Sequence, residues 1–252
     1  YDKGLAPTKE PFKKLVHQGM ILGENGIKMG KRYPEFVINP SDIVRDYGAD
    51  TLRLYEMFMG PLEVSKPWSS AGVEGAKRFI VRVWNFFTEP ANLTDDNDGA
   101  LTKIYHQTVK KVTDDFEALA FNTAISQLMI FMNAAYKAGK CPKEYAEGII
   151  KMMSCITPHV CEEMWQKLGH NDTIAYEPWP VYDEKELVVD TIEIAVQING
   201  KVRGKINVGV DEDQDSAIAK AKANPDVAAA IEGKNIVKEI YVKGRIVNIV
   251  AK

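Results

Sequence analysis

Ser69-Ser70-Ala71-Gly72-Val73-Glu74-Gly75-Ala76-Lys77-Arg78-Phe79-Ile80-Val81-Arg82-Val83-Trp84-Asn85-Phe86-Phe87 is the stretch from which the architecture follows. Ser69 or Ser70 can cap a helix, because a short hydroxyl side chain accepts a hydrogen bond from an N–H that the first turn leaves unpaired. Val73, Ala76, Ile80, Val83, Trp84 and Phe87 then recur every three or four positions, one apolar stripe on a helical period. That period holds to about Gly169. Leu101, Ile104, Tyr105, Thr108, Val112 and Phe116 form a second stripe, and Ile125, Leu128, Met129, Met132, Ala135 and Tyr136 a third. A fourth helix is expected over 143–156. A fifth should follow Thr157-Pro158, since proline in a first turn lacks only an N–H that had no partner anyway. Short connections between helices of this length predict an antiparallel bundle.

The pattern changes on both sides of the bundle. Residues 1–68 are irregular and turn-rich, with Pro7, Pro11, Gly19, Gly23, Gly26, Gly30, Pro34, Pro40, Gly48, Gly60, Pro61 and Pro67. Gly19-Met20-Ile21-Leu22-Gly23 is too short for a helix and fits a strand. A short helix should open at Ser41-Asp42, and another should cover 51–58 before Gly60-Pro61 stops it. Residues 171–190, with Pro178, Trp179, Pro180 and several acids, read as a connecting segment.

From Asp190 the chain takes up strand periodicity, with Ile192, Ile194, Val196 and Ile198 alternating with polar or small residues. Val202, Ile206 and Val208 continue the alternation after Asn199-Gly200. A two-residue turn would set Ile198 against Lys201 and mix apolar and charged side chains on one face. A loop one residue longer, or a bulge beside Asn-Gly, pairs Ile198 with Val202 and Ile194 with Ile206, and this register is the expectation. Arg203 and Lys205 would then share the face away from the core, with Lys201 at the turn. Helices around 217–223 and 226–231 and strands around 236–242 and 245–250 complete a ββααββ unit. The expected divisions are 1–68, 69–189 and 190–252.

Composition sets limits on function. The 252 residues carry 32 Lys and Arg against 35 Asp and Glu, a formal net charge of -3, so any nucleic-acid partner must be held by local basic patches. No run approaches the roughly 18 apolar residues of a membrane span, and nothing resembles a secretion signal. Cys141, Cys155 and Cys161 form no CxxC pair and read as reduced, mostly buried thiols rather than a zinc site. His17, His106 and His170 share no metal-ligand spacing, and His159 reads as a hydrogen-bonded structural group. Trp84, Trp165 and Trp179 read as packing residues, and Lys110-Lys111 as a solvated helix face. Asp211, Glu212, Asp213 and Asp215 read as a helix-start cluster.

Lys28-Met29-Gly30-Lys31-Arg32 is the run best suited to chemistry, because several cations on a glycine-flanked loop can follow a triphosphate as charge develops on departing pyrophosphate. Spacing alone favours a solvated turn. The run resembles the KMSKS signature of class I aminoacyl-tRNA synthetases. Asn39-Pro40-Ser41-Asp42-Ile43-Val44 and Tyr47-Gly48-Ala49-Asp50-Thr51-Leu52-Arg53 resemble the segment after that signature in the leucine, isoleucine, valine and methionine branch. Phe58-Met59-Gly60-Pro61, Trp68 and Gly72-Val73-Glu74-Gly75-Ala76-Lys77-Arg78-Phe79 look like the leucine enzyme entering its helical bundle. Phe121-Asn122-Thr123-Ala124-Ile125 and Pro158-His159-Val160-Cys161-Glu162-Glu163-Met164-Trp165 are similar to later bundle landmarks. Val196-Gln197-Ile198-Asn199-Gly200-Lys201-Val202-Arg203-Gly204-Lys205 resembles the start of the C-terminal domain of the bacterial type.

The resemblance implies a multidomain, mainly α chain: the tail of a Rossmann-type catalytic domain, a helical tRNA-binding bundle of the anticodon-binding type, and a small α+β tRNA-binding domain. It implies the C-terminal part of a leucine–tRNA ligase, cytoplasmic, without the leucine pocket or editing domain and not active alone. Lys28 and Lys31 would be catalytic, with Lys31, the second signature lysine, binding ATP. Lys201, Arg203, Lys205, Lys243 and Arg245 would contact tRNA(Leu). ATP would be the substrate, with Mg2+ in the intact enzyme, leucine and ATP being held by the missing core; neither a metal site in this chain nor a membrane is implied. Gly30 and Arg32 replace the signature's serines and Tyr33-Pro34-Glu35-Phe36 a small Gly-Asn-containing stretch, which bears on loop motion. Missing C-terminal cysteine pairs and a missing heptad helix set the chain apart from the isoleucine and valine enzymes. A stand-alone tRNA-binding protein or one subunit of a split synthetase is the alternative from another class.

Overall fold

A computed structural model describes residues 1–187, 191–210 and 212–252. The end of the connecting segment, the 189/190 division and Asp211 of the acidic cluster lie outside them. The chain forms two compact units, Tyr1–Glu186 and Leu187–Lys252, each with its own core.

The first unit opens with β1 (Ile21–Leu22), α1 (Pro40–Tyr47), α2 (Ala49–Phe58) and β2 (Lys66–Pro67), and β1 and β2 pair in parallel. Asn39 caps α1 through a bond from Ser41 N–H to its side-chain oxygen, and Pro40 takes the first helical position. Gly48, at φ 95°, ends α1 and lets α2 start at once, two residues before the expected onset. Next comes α3 (Ser70–Phe87), capped by Ser69, whose Oγ accepts from Gly72 N–H at 3.2 Å. Gly72 is required there, since an added Cβ would stand 2.6 Å from the Tyr55 ring.

Beyond lie β3 (Leu93–Thr94), α4 (Thr102–Glu117), α5 (Phe121–Ala138), β4 (Cys141–Pro142), α6 (Lys143–Ser154) and α7 (Pro158–Lys167). Val83, Val109, Ile125, Phe131, Met132 and Ile149 are fully buried where the helical stripes meet. Tyr136, placed on a stripe by the sequence, is 40% exposed because its ring lies under the Arg82 guanidinium and its hydroxyl donates to Arg82 C=O. The start of α7 is completed from far away. Thr157 makes no cap bond with its side chain, and the buried Asp50 of α2 accepts instead from Val160 N–H at 2.7 Å and meets His159 Nδ1 at 2.8 Å.

In the second unit, β5 (Thr191–Ile198) and β6 (Lys201–Gly209) precede α8 (Gln214–Ala223), α9 (Pro225–Ile231), β7 (Ile236–Val242) and β8 (Ile246–Ala251). The sheet order is β6-β5-β8-β7, with β5 and β8 parallel at the centre and both outer pairings antiparallel. Ile194, Val196, Val208, Val247 and Ile249 form a core with Ala217, Ala221 and Val227 of the helices. Ile194 pairs with Ile206 as expected, but Ile198 faces Lys201 and not Val202. Val202 is opposite Gln197 and 58% exposed, so it is not a core residue. Asn199 and Gly200 both take positive φ, 50° and 79°, which makes the two-residue turn the favoured one. The extra residue enters one step later: Gln197 pairs with Val202 and Val196 with Gly204, leaving Arg203 bulged. Gly204 lies under α9, where a Cβ would stand 2.9 Å from Asn224 Oδ1 and 3.1 Å from Val227.

Candidate functional site

The lysine run sits on a small folded loop between β1 and α1. Gly23 N–H bonds to Ile27 C=O, Asn25 Oδ1 accepts from Ile27 N–H, and Leu22 bridges to Lys28. Past Gly30 the chain turns again, with Tyr33 N–H on Gly30 C=O, and Pro34 starts a 3-10 turn. Between the two lysines Met29 turns inward. It packs against the first core, and its sulfur accepts from Ile38 N–H at 3.4 Å. Lys28, Lys31 and Arg32 stay exposed, the last with its guanidinium 5.5 Å from the Tyr33 ring centre. No ion pair or hydrogen bond engages the Lys28 or Lys31 side chain among the described residues. Two ammonium groups held on one short loop, neither neutralised, suit a polyanion whose charge grows during a reaction.

The five cations expected to meet tRNA do not form one surface. Lys201 and Arg203 line a cleft of about 400 Å³ with Asn199, Ala229, Ala230 and Lys234, on the helix side of the sheet. The bulge at Arg203 carries it there, away from the face expected for it. Lys205, opposite Ala195, takes the other face and is paired with Glu193 at 2.7 Å. Lys243 and Arg245 flank the β7–β8 turn. Because β5 and β8 run in parallel, that turn lies beside the start of β5, whereas Asn199 bonds to Ala251 C=O at the far end. Lys234 was not singled out from the sequence. It follows α9, with its ammonium on Ala230 C=O, and no local pattern ties it to a hairpin more than thirty residues earlier.

Three of the four histidines have structural partners. His159 meets Asp50, His170 meets Glu147 at 2.8 Å, and His106 Nδ1 accepts from Asp183 N–H at 3.0 Å. Trp165 is buried against His170, Trp179 donates to Thr113, and Trp84 lies under Lys167. Lys110 and Lys111 pair with Asp114 and Asp115 one turn on. Cys141 and Cys161 are buried, with thiols pushed up to about 12 by desolvation, and Cys155 is exposed. Among the described residues no group of three or more His, Cys, Asp or Glu could hold a metal, and no helix is long and apolar enough to cross a membrane.

Two family models match this chain. Residues 5–63, including the lysine loop, match tRNA synthetases class I (I, L, M and V), and residues 98–219 match the anticodon-binding domain of tRNA ligase. Both matches are to parts of class I aminoacyl-tRNA synthetases, and they fall in this chain in the order catalytic segment, then anticodon-binding segment. Within that class the likeness runs to a LeuRS from Agrobacterium radiobacter, solved in a ternary complex with tRNA and LeuAMS. The TM-score is 0.70 and the identity 27%, over 100% of this chain and 35% of that one. This chain thus spans about a third of the leucyl-tRNA synthetase it resembles.

Proposed function

We propose that this chain is the lysine-loop and tRNA-binding part of a leucine–tRNA ligase of bacterial type. The observation that carries this is a single chain holding, in order, a class I synthetase segment with two unpaired lysines and an anticodon-binding segment, and resembling a LeuRS along its whole length. In the intact enzyme leucine attacks the α-phosphorus of ATP, pyrophosphate leaves, and the leucyl group passes to a terminal hydroxyl of tRNA(Leu). ATP brings Mg2+ as its counter-ion, and the reaction belongs to the cytoplasm, where protein is made. Residues 1–68 end the catalytic domain, 69–189 form the tRNA-binding bundle with its linker, and 190–252 form a second tRNA-binding domain. Lys31 and Lys28 draw negative charge off the reacting phosphorus by holding the triphosphate oxygens. Met29 seated between them fixes the loop, so little ordering remains to be done when ATP arrives.

The test is Lys31→Ala in the synthetase that contains this chain. Pre-steady-state adenylate formation should slow by roughly 10²-fold, the scale of losing one transition-state electrostatic partner, while leucine binding stays close to normal. Arg32→Ser should be tolerated much better, because the Arg32 guanidinium lies over the Tyr33 ring, 5.5 Å from its centre, and both lysines are kept. Unchanged activation in Lys31→Ala would remove the loop from the chemistry.

A further inference from the structure

Glu24 joins the lysine loop to a distant helix. One carboxylate oxygen, Oε1, accepts from both the backbone N–H of Ser70 at 3.1 Å and the Ser70 hydroxyl at 2.8 Å. Ser70 is the first residue of α3, so the carboxylate lies at the positive end of an 18-residue helix. These two bonds hold the Glu24 carboxyl below its ordinary range. The strand entering the loop is fixed by the same segment: Lys66 N–H bonds to Met20 C=O, Trp68 N–H to Leu22 C=O, and Met20 N–H to Ser65 Oγ. Gly19 lies so close to Val64 that a Cβ would stand 2.2 Å from its carbonyl carbon. The loop therefore has two anchors beyond its own turns, Met29 in the core and Glu24 on the first turn of α3.

We propose that Glu24 is a positioning residue for the lysine loop, holding it to α3 so that Lys28 and Lys31 are presented from a backbone fixed at two points. The inference rests on the reading that these lysines meet the triphosphate. Glu24 touches no substrate. It acts by limiting the conformations from which the lysines must be gathered. Nothing in the sequence pattern marks it, since its partner is 46 residues away.

Hydrogen exchange on this chain, without nucleotide, tests the anchor. In Glu24→Ala, backbone amides of residues 23–33 should exchange about fivefold faster, the order expected for losing an exposed charge-assisted contact. Amides in the middle of α5 should not change. Glu24→Gln, which keeps an acceptor oxygen without the charge, should fall between. Ser70→Ala should have a smaller effect alone and none added to Glu24→Ala, because the two residues share one contact. Unaltered loop exchange in Glu24→Ala, or additive effects in the double variant, would overturn the anchor. The positioning role is read in the intact synthetase by ATP–pyrophosphate exchange. Glu24→Ala should slow it about fivefold at saturating leucine, with most of the loss recovered in Glu24→Gln. Faster loop exchange with undiminished pyrophosphate exchange would overturn positioning. An inert Lys31→Ala would instead sink the triphosphate reading, and loop exchange would still decide whether Glu24 holds α3.

Discussion

Asp50 shows how much one side chain can organise in this protein. Its carboxylate leaves α2 and closes the open end of α7, more than a hundred residues further on. A buried carboxylate is costly unless its oxygens are filled, and here Val160 N–H and His159 Nδ1 fill them. Asp50→Ala should therefore lower stability by about 2 kcal/mol, combining the lost cap with N–H groups left unpaired. Asp50→Asn, which keeps one acceptor, should cost about half as much, and His159→Ala less again, because that ring is mostly exposed. Urea unfolding of the three variants measures this. Equal losses for Asp50→Ala and His159→Ala would mean that the ring, and not the cap, matters. The lysines were legible from sequence because they lie within four residues of each other in a motif. Asp50 was visible only as one letter of a family segment, and its role depends on a contact that no local pattern encodes.

At the scale of elements, the β5–β6 ribbon repays attention because a single bulge redistributes charge. The alternation of Ile194, Val196, Ile206 and Val208 correctly gave the buried face. It could not say where the surplus residue would be absorbed. The strong preference of Asn199-Gly200 for a tight turn moved the irregularity to Arg203. Lys201, Arg203 and Lys234 consequently share one cleft, while Lys205 is spent on Glu193. Replacing the first three by alanine in the synthetase should weaken tRNA binding. It should also flatten the salt dependence by up to roughly 0.7–0.9 in log–log slope per lost phosphate contact. Lys205→Ala should change little, and leucine-dependent pyrophosphate exchange should hold in both. Equal salt slopes for the triple variant and the parent would leave the cleft as solvated surface.

The start of α8 carries a pH signature at this same scale. The Lys220 ammonium, then the Ser216 hydroxyl and Gly209 N–H, lower Glu212 to about 2. A folded pKa below the unfolded one stabilises above the ordinary glutamate value, 4.5, and that contribution disappears as pH falls towards 2. Glu212→Gln should thus unfold at lower temperature than the parent near pH 7, and the gap should close between about pH 4 and pH 2. A gap that stays constant through that range would assign the loss to shape instead of charge.

For the molecule as a whole, hydrophobic period was enough to read a helical stretch followed by a mixed α and β unit, because each stripe or alternation is a local statement about which side faces water. Sheet order was not legible. Nothing in the residues of β5 announces that β8, and not β7, will lie beside it, since the choice depends on how α8 and α9 return the chain across one face. That return has a further cost in time. Ala195 to Ile198 must find Ile246 to Ile249 across the whole intervening sequence before the centre of the sheet exists, whereas α4 and α5 meet across a three-residue connection. The small unit is a lock that turns only when its first and last strands are both in hand. A chain shortened by that last strand would lose its middle and expose two raw edges, where loss of β6 or β7 would only trim a border.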